Sequence, residues 1–214
     1  ISWIRASEGN KIESFNLLKK IPKKYDNLTK IQDVFLKCYY NKKNTQSSFV
    51  NLLQNENYNF SRYNFFLINY LLSQDKNLEA KKIAKKSSIE YNQNLLIKQT
   101  KNFLINKKNS KKKNFFNCKN PKDSIAEFFY IIANLYASEH DYQTSNFYLK
   151  ISLFLNKKFI TNKALLAENF YYQKKNELAK EVYYSLKPVG SIYSWYSEKN
   201  ISTILEEDKG KKHA

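Results

Sequence analysis

The stretch that decides the fold covers residues 126–159 and reads AEFFYIIANLYASEHDYQTSNFYLKISLFLNKKF. Its first half places apolar residues on one face of a helix: Phe129, Ile132, Ala133 and Tyr136. A second run with helical spacing follows: Ser145, Leu149 and Ser152. The segment His140-Asp141-Tyr142 separates the two runs and fits neither of them. The stretch therefore predicts two amphipathic helices joined by a short turn.

The same arrangement returns 34 residues further along the chain. The counterparts of the first run are Leu166, Ala167 and Phe170, and those of the second run are Ala179 and Tyr183. A third copy of the first helix follows 35 residues later: Ile201, Ser202 and Leu205. A period of this length predicts a stack of helical hairpins.

The N-terminal half contains a less regular version of the pattern. Gly9, Ser14 and Leu18 have the spacing of a turn followed by a second helix. Their expected counterparts are Lys43, Ser48 and Leu52, after a helix with Phe35, Leu36 and Tyr39. The next hairpin would contain Leu67, Ile68 and Leu71, then Ala80 and Ala84. One further helix is expected over residues 93–106.

The helical period is lost between the two halves, where residues 107–123 read KKNSKKKNFFNCKNPKD. We predict degenerate hairpins over residues 1–107, a lysine-rich linker loop over 108–123, and two clearer hairpins with a terminal helix, residues 192–208, within 124–214. Phe115 and Phe116 are expected to pack this loop against a helical block. Pro121 should stand just before a helix that begins at Asp123 or Ser124. With three Gly and three Pro, the chain has too few turn residues for an all-β fold and is predicted to be all-α.

The hairpin pattern resembles the tetratricopeptide repeat. Phe129, Ile132, Ala133 and Tyr136 stand at the family's Trp, Leu, Gly and Tyr positions, and Ser145, Leu149 and Ser152 stand at its later Ala, Phe and Ala positions. Lys163 and Glu198 depart from the family at the Trp position of the later units. The layout is also similar to that of long tetratricopeptide proteins of α-proteobacteria. The resemblance implies an α-solenoid, a right-handed superhelix of about five to six stacked hairpins.

The resemblance also implies a noncatalytic scaffold or adaptor that binds a partner peptide or helix in the concave groove. The groove residues carried over from the family are Arg62, Phe65, Asn69, Tyr130, Asn134, Glu168, Tyr171 and Tyr172. Each of the aromatic residues among them could instead pack against neighbouring helices. A clamp for a C-terminal carboxylate is not expected, because Phe65 and Tyr130 stand where the family has the clamp lysine.

The net charge of +18 leads to a second hypothesis, a lysine-rich binder of nucleic acid or anionic surfaces. Lys107, Lys113 and the lysines between them would contribute. Only Arg5 and Arg62 are arginines, however, so the other 35 basic residues are lysines. Nucleic-acid recognition favours arginine, and codon drift in an A/T-rich genome would produce the same excess of lysine.

Residues for catalysis or metal binding are scarce. His140 and His213 are the only histidines, and neither has a cysteine or carboxylate at metal-ligand spacing. Cys38 and Cys118 lie 80 residues apart without CxxC partners, so we expect two unrelated thiols. Noncatalytic support of a cell-wall lytic enzyme remains an alternative, with Glu90, Glu127, Glu139 and Glu168 best explained as solvated helix residues. The sequence predicts no enzyme activity, cofactor or metal.

The expected partner is a protein or peptide, and the sequence defines neither its identity nor the oligomeric state of the chain. No run of apolar residues is long enough to span a membrane. The chain contains no Met, so we expect it to be part of a longer translated product. The compartment stays open between the bacterial periplasm or cell envelope and the cytoplasm.

Overall fold

The computed structural model describes residues 1–55, 59–105 and 115–209. Over these residues the chain is helical without strands, which confirms the all-α prediction. The helices are α1 Ser2–Ser7, α2 Lys11–Lys19, α3 Asp26–Tyr39, α4 Thr45–Leu53, α5 Tyr63–Ser73, α6 Asn77–Glu90, α7 Leu95–Ile105, α8 Pro121–Ser138, α9 Tyr142–Leu155, α10 Ile160–Tyr172, α11 Asn176–Leu186 and α12 Ser191–Lys209. The chain divides into two compact units, Ile1–Ile125 and Ala126–Ala214.

The part of the predicted linker at residues 108–114 lies outside the described residues, as do Lys107 and His213. Helix α8 begins at Pro121, two residues before the earliest predicted start. Proline is well suited to the first position of a helix because its fixed φ is already helical and its missing N–H would have no partner there.

Five turns of one type connect helices into hairpins. A residue with positive φ ends the first helix of each pair: Gly9, Asn41, Asp75, His140 and Lys174. The following N–H bonds back to the carbonyl five residues earlier, as from Lys42 to Lys37 at 2.9 Å and from Lys175 to Phe170 at 2.9 Å. This is the Schellman arrangement, which supplies partners for carbonyl groups left unpaired at a helix end. Each turn reverses the chain, so that the second helix packs against the first; in the α8–α9 hairpin the Tyr136 ring stacks on the Tyr148 ring at 5.6 Å.

The second hairpin has a different register from the predicted one. Ser48 was the expected counterpart of buried Ser14, but Ser48 is only half-buried. Thr45 takes the equivalent place: it is fully buried, and its hydroxyl donates to the Lys42 carbonyl at 2.6 Å, as the Ser14 hydroxyl donates to Lys11 at 2.8 Å. The turn therefore comes earlier than Lys43. The sequence misplaced it because several small residues in this region fit a helix crossing equally well.

Aromatic rings form the centre of the first unit. Phe35 is fully buried, and its ring centre lies 5.0 Å from that of Phe66, 5.2 Å from that of Phe116 and 6.3 Å from that of Phe49. The Phe116 ring also lies 4.6 Å from the Phe66 ring. The prediction that Phe116 packs its segment against a helical block is confirmed.

The two cysteines form a disulfide, and the expectation of two unrelated thiols is wrong. Cys38 on α3 is bonded to Cys118, in the segment before α8, with their Cα atoms 5.9 Å apart. Both residues are buried. The pairing depends on how the chain between them folds back, which residue spacing alone does not reveal. The bond fixes the segment that contains Phe116 to the end of α3.

The second unit combines an apolar core with a buried polar network. Ala133, Leu149 and Leu166 form the core cluster. The serines at the helix crossings also bind α10: the Asn169 side-chain amide donates to the Ser145 hydroxyl at 2.7 Å, and the Asn162 amide donates to the Ser152 hydroxyl at 2.5 Å. These positions therefore supply acceptors for the side-chain N–H groups of buried asparagines as well as allowing close packing.

Candidate protein-binding surface

Side chains of α10 and α12 meet along a shared surface in the second unit. The Tyr196 hydroxyl donates to the Glu168 carboxylate, and further along both helices the Tyr171 hydroxyl donates to Glu207 Oε1 at 2.5 Å. Glu168 precedes Tyr171 on α10, and Tyr196 precedes Glu207 on α12. Because both contacts advance together, the two helices run in the same direction.

Burial sets the electrostatics of this surface. Loss of solvent raises the pKa of the Glu168 carboxyl above its usual value, and the hydrogen bond from Tyr196 partly opposes that shift. Burial and the nearby Glu168 charge both raise the pKa of Tyr196. The same two causes raise the pKa of Tyr183, whose ring centre lies 5.7 Å from that of Tyr196. The proton therefore stays on the Tyr196 hydroxyl, which is the donor to the Glu168 carboxylate.

This arrangement predicts a specific pH dependence. Because the pKa of Glu168 is higher in the folded unit than in the unfolded chain, the folded state binds more protons between the two values. This carboxyl therefore lowers the free energy of unfolding as pH rises from about 4.5 towards neutrality. In Glu168→Gln we expect a weaker loss of stability over that range, measured by urea unfolding at several pH values. Glu181→Gln, at an exposed position on α11, is the control and should keep the wild-type profile.

Removing the donor tests the same contact independently. Tyr196→Phe should cost about 2 kcal/mol at pH 7, because a largely buried carboxylate would lose its charge-assisted hydrogen bond. A wild-type free energy of unfolding in this variant would contradict the assigned contact.

The predicted site residues of the second unit differ in their availability. Asn134 is exposed, and the Tyr172 side chain is 59 % exposed while stacking on the Tyr142 ring at 5.3 Å. Tyr171 is half-buried, with the Lys174 ammonium 5.6 Å from its ring centre. Tyr130 is also half-buried and packs against the core cluster. Asn134 and Tyr172 are therefore the most accessible members of the predicted set.

The remaining predicted residues, Arg62, Phe65 and Asn69, belong to the first unit. Phe65 is only 2 % exposed and packs in the core, so it does not present its side chain to a partner. Asn69 is half-buried and donates to the Phe65 carbonyl at 2.8 Å. The Arg62 guanidinium carbon lies 5.7 Å from the centre of the Phe66 ring. The structure brings these three residues together on and next to α5.

Sequence periodicity missed several exposed aromatic residues on the second unit. Phe147 and Phe154 on α9 and Trp195 on α12 have side chains that are 59 %, 81 % and 61 % exposed. The Lys199 ammonium lies 5.6 Å from the Trp195 ring centre. The sequence could have indicated them as apolar residues that lie just outside the buried face of a helix. The high aromatic content of the chain hides this signal.

Comparison with known proteins finds neither a matching family model nor a matching curated protein. Within residues 1–55, 59–105 and 115–209, no group of three or more His, Cys, Asp or Glu side chains could hold a metal ion. None of the helices in those ranges is both long and apolar enough to span a membrane. The proposed function therefore depends on the geometry of the helices and their side chains.

Proposed function

We propose that the chain is a noncatalytic scaffold of tetratricopeptide-like hairpins that binds a peptide or helix of a partner protein. In this proposal the hairpins form a right-handed solenoid, and α8, α10 and α12 are first helices whose exposed residues contact the partner. The observation that carries it is the pair of contacts Glu168–Tyr196 and Tyr171–Glu207. They join two helices of the same direction, and the α10 members of both pairs, Glu168 and Tyr171, are residues that the family resemblance places in the groove.

The exposed residues of α8, α10 and α12 have a chemistry that suits a peptide. The Tyr172 ring offers a large contact area with little loss of side-chain entropy, and the Asn134 amide can both donate to and accept from a peptide backbone. Glu206 and Lys199 are exposed on α12 and supply charges of both signs. A partner segment with mixed polar and apolar residues would complement this composition.

Three of the four glutamates considered as catalytic acids have environments that support a noncatalytic role. The expectation of solvated helix residues is wrong for two of them: the Glu168 carboxylate is largely buried and bound by Tyr196, and Glu127 is fully buried, so solvent and a glycan could not reach it. Glu90 accepts a hydrogen bond from the adjacent Tyr91 hydroxyl at 3.3 Å. These environments favour structural roles for the three carboxylates.

The test is a pull-down from nuclease-treated lysate of the source organism, washed at roughly 50 and then 300 mM salt to remove electrostatic binders. A discrete protein retained at high salt would then be purified and titrated by calorimetry. We expect Tyr172→Ala to weaken binding about tenfold, as for a central interface aromatic.

Tyr184 provides a matched control, because it is 53 % exposed but lies on the second helix α11. Tyr184→Ala should leave the affinity unchanged. Equal effects of the two substitutions, or no effect of Tyr172→Ala, would contradict the assigned surface. Loss of all binding at high salt would favour an anionic partner instead.

A further inference from the structure

Basic residues are concentrated in one part of the chain. Of the 37 basic residues 25 lie in Ile1–Ile125, together with nine of the 19 acidic residues. The first unit therefore has a net charge of +16, against +2 for Ala126–Ala214. Codon drift would act on the whole sequence, so it does not account for this asymmetry.

Helix α6 presents lysines and aliphatic residues along the same outward stripe. Its inner face is buried through Ala80, Ala84, Ser87 and Ser88. The stripe on the opposite face contains five exposed residues at helical spacing: Leu78, Lys82, Lys85, Lys86 and Ile89. The Leu78 and Ile89 side chains are 86 % and 76 % exposed. At 100° per residue they fall between Lys85 on one side and Lys82 and Lys86 on the other.

The three lysines of this stripe are free to bind an external anion. Within the described parts of the chain none of them takes part in a salt bridge. The two acidic residues of α6 lie near its ends. Glu79 accepts a hydrogen bond from the Gln46 side-chain amide at 2.5 Å, and Glu90 accepts one from Tyr91. The middle of the stripe therefore has an uncompensated positive charge.

We infer that the outward stripe of α6 docks the first unit on an anionic lipid bilayer. Lysines attract acidic headgroups, and each contributes about 1 kcal/mol near such a surface. Leucine and isoleucine can enter the boundary between headgroups and acyl chains, which binds amphipathic helices that lie in the membrane plane. A nucleic acid would explain the lysines but not the leucine and isoleucine, because phosphate groups offer exposed aliphatic side chains no apolar contact. The stripe also has no arginine, the residue that nucleic-acid recognition favours.

The test uses flotation of the full chain with vesicles of phosphatidylglycerol and phosphatidylcholine, compared with vesicles of phosphatidylcholine alone. We expect binding to the acidic vesicles only. Lys82→Gln with Lys85→Gln and Lys86→Gln should weaken it on the order of 100-fold. Lys19→Gln with Lys20→Gln and Lys43→Gln is the matched control: it removes the same charge from exposed positions of the same unit and should have a much smaller effect.

The aliphatic residues distinguish a membrane from a nucleic acid. Leu78→Ser with Ile89→Ser should weaken vesicle binding about tenfold, whereas any weak binding to a DNA duplex should not change. An environment-sensitive dye on Ile89→Cys should shift to the blue when acidic vesicles are added. The same dye on Ile12→Cys, at a site with the same 76 % exposure on α2, should not.

Three results would overturn the inference. One is flotation to the same extent with acidic and neutral vesicles, or no flotation with either of them. Another is unchanged vesicle binding by the serine double variant, or a dye shift at position 12 equal to that at position 89. The third is tight DNA binding that depends on Lys82, Lys85 and Lys86 without vesicle binding, which would assign the stripe to a nucleic acid. The proposed peptide surface lies in the second unit, so each of these outcomes leaves it untouched.

Discussion

Reduction of the Cys38–Cys118 disulfide should lower the free energy of unfolding of the first unit by about 4.5 kcal/mol. The bond closes a loop with a sequence separation of 80 residues and so removes many conformations from the unfolded chain. It also holds Phe116 against Phe35 and Phe66. An effect of this size is a large fraction of the stability of a typical domain.

The chain provides its own reporter for this measurement. Trp3 is buried in the first unit and donates to the Gln32 side chain at 2.7 Å, and Trp195→Phe removes the other tryptophan. Urea unfolding followed by Trp3 fluorescence should shift to lower urea when a reductant is present. A double variant, Cys38→Ser with Cys118→Ser, should match the reduced protein and ignore the reductant. Two reactive thiols in the non-reduced protein, or equal midpoints, would refute the bond.

The second large effect is expected for Phe35→Ala, which should cost about 3–5 kcal/mol. Phe35 is fully buried and contacts rings from α4, α5 and the segment before α8. Since several elements converge on this ring, none can move into the space without losing its other contacts. The Trp3 fluorescence assay gives the midpoint and the free energy of unfolding.

Phe115→Ala is the matched control for this substitution. Phe115 is the neighbour of Phe116 in sequence but is half-buried, and its ring centre lies 5.7 Å from that of Phe103. We expect a cost of about 1–2 kcal/mol, because less of the side chain leaves water on folding. A smaller cost for Phe35→Ala than for Phe115→Ala would show that the cluster around Phe35 is not the centre of the core.

Helical periodicity was sufficient for most of the secondary structure. The hairpin α8–α9 follows from residues 126–159 because spacings of three and four are a local property of one segment. The second turn was misplaced, because Thr45 and Ser48 are both small enough for a helix crossing. Local sequence could not distinguish them, since their burial depends on which face of α4 meets its neighbours.

The candidate site was less predictable than the helices. Tyr172 was correctly expected on α10, but its stacking on Tyr142 depends on the approach of another hairpin. The Glu168–Tyr196 contact joins residues 28 positions apart, and the disulfide joins residues 80 apart. Such pairings depend on tertiary packing. Phe65 shows the opposite error: a position carried over from a family pattern was occupied by a core side chain.

The five Schellman turns have a consequence for how this chain can change over evolution. Four of the five left-handed positions hold residues other than glycine: Asn41, Asp75, His140 and Lys174. A side chain at such a position costs only about 1–2 kcal/mol, because its Cβ approaches the backbone carbonyl, while the backbone hydrogen bonds that define the turn remain. Glycine can therefore be replaced at these turns one position at a time while the hairpins persist. Architecture of this kind can outlive the sequence signature by which its ancestry would be recognised.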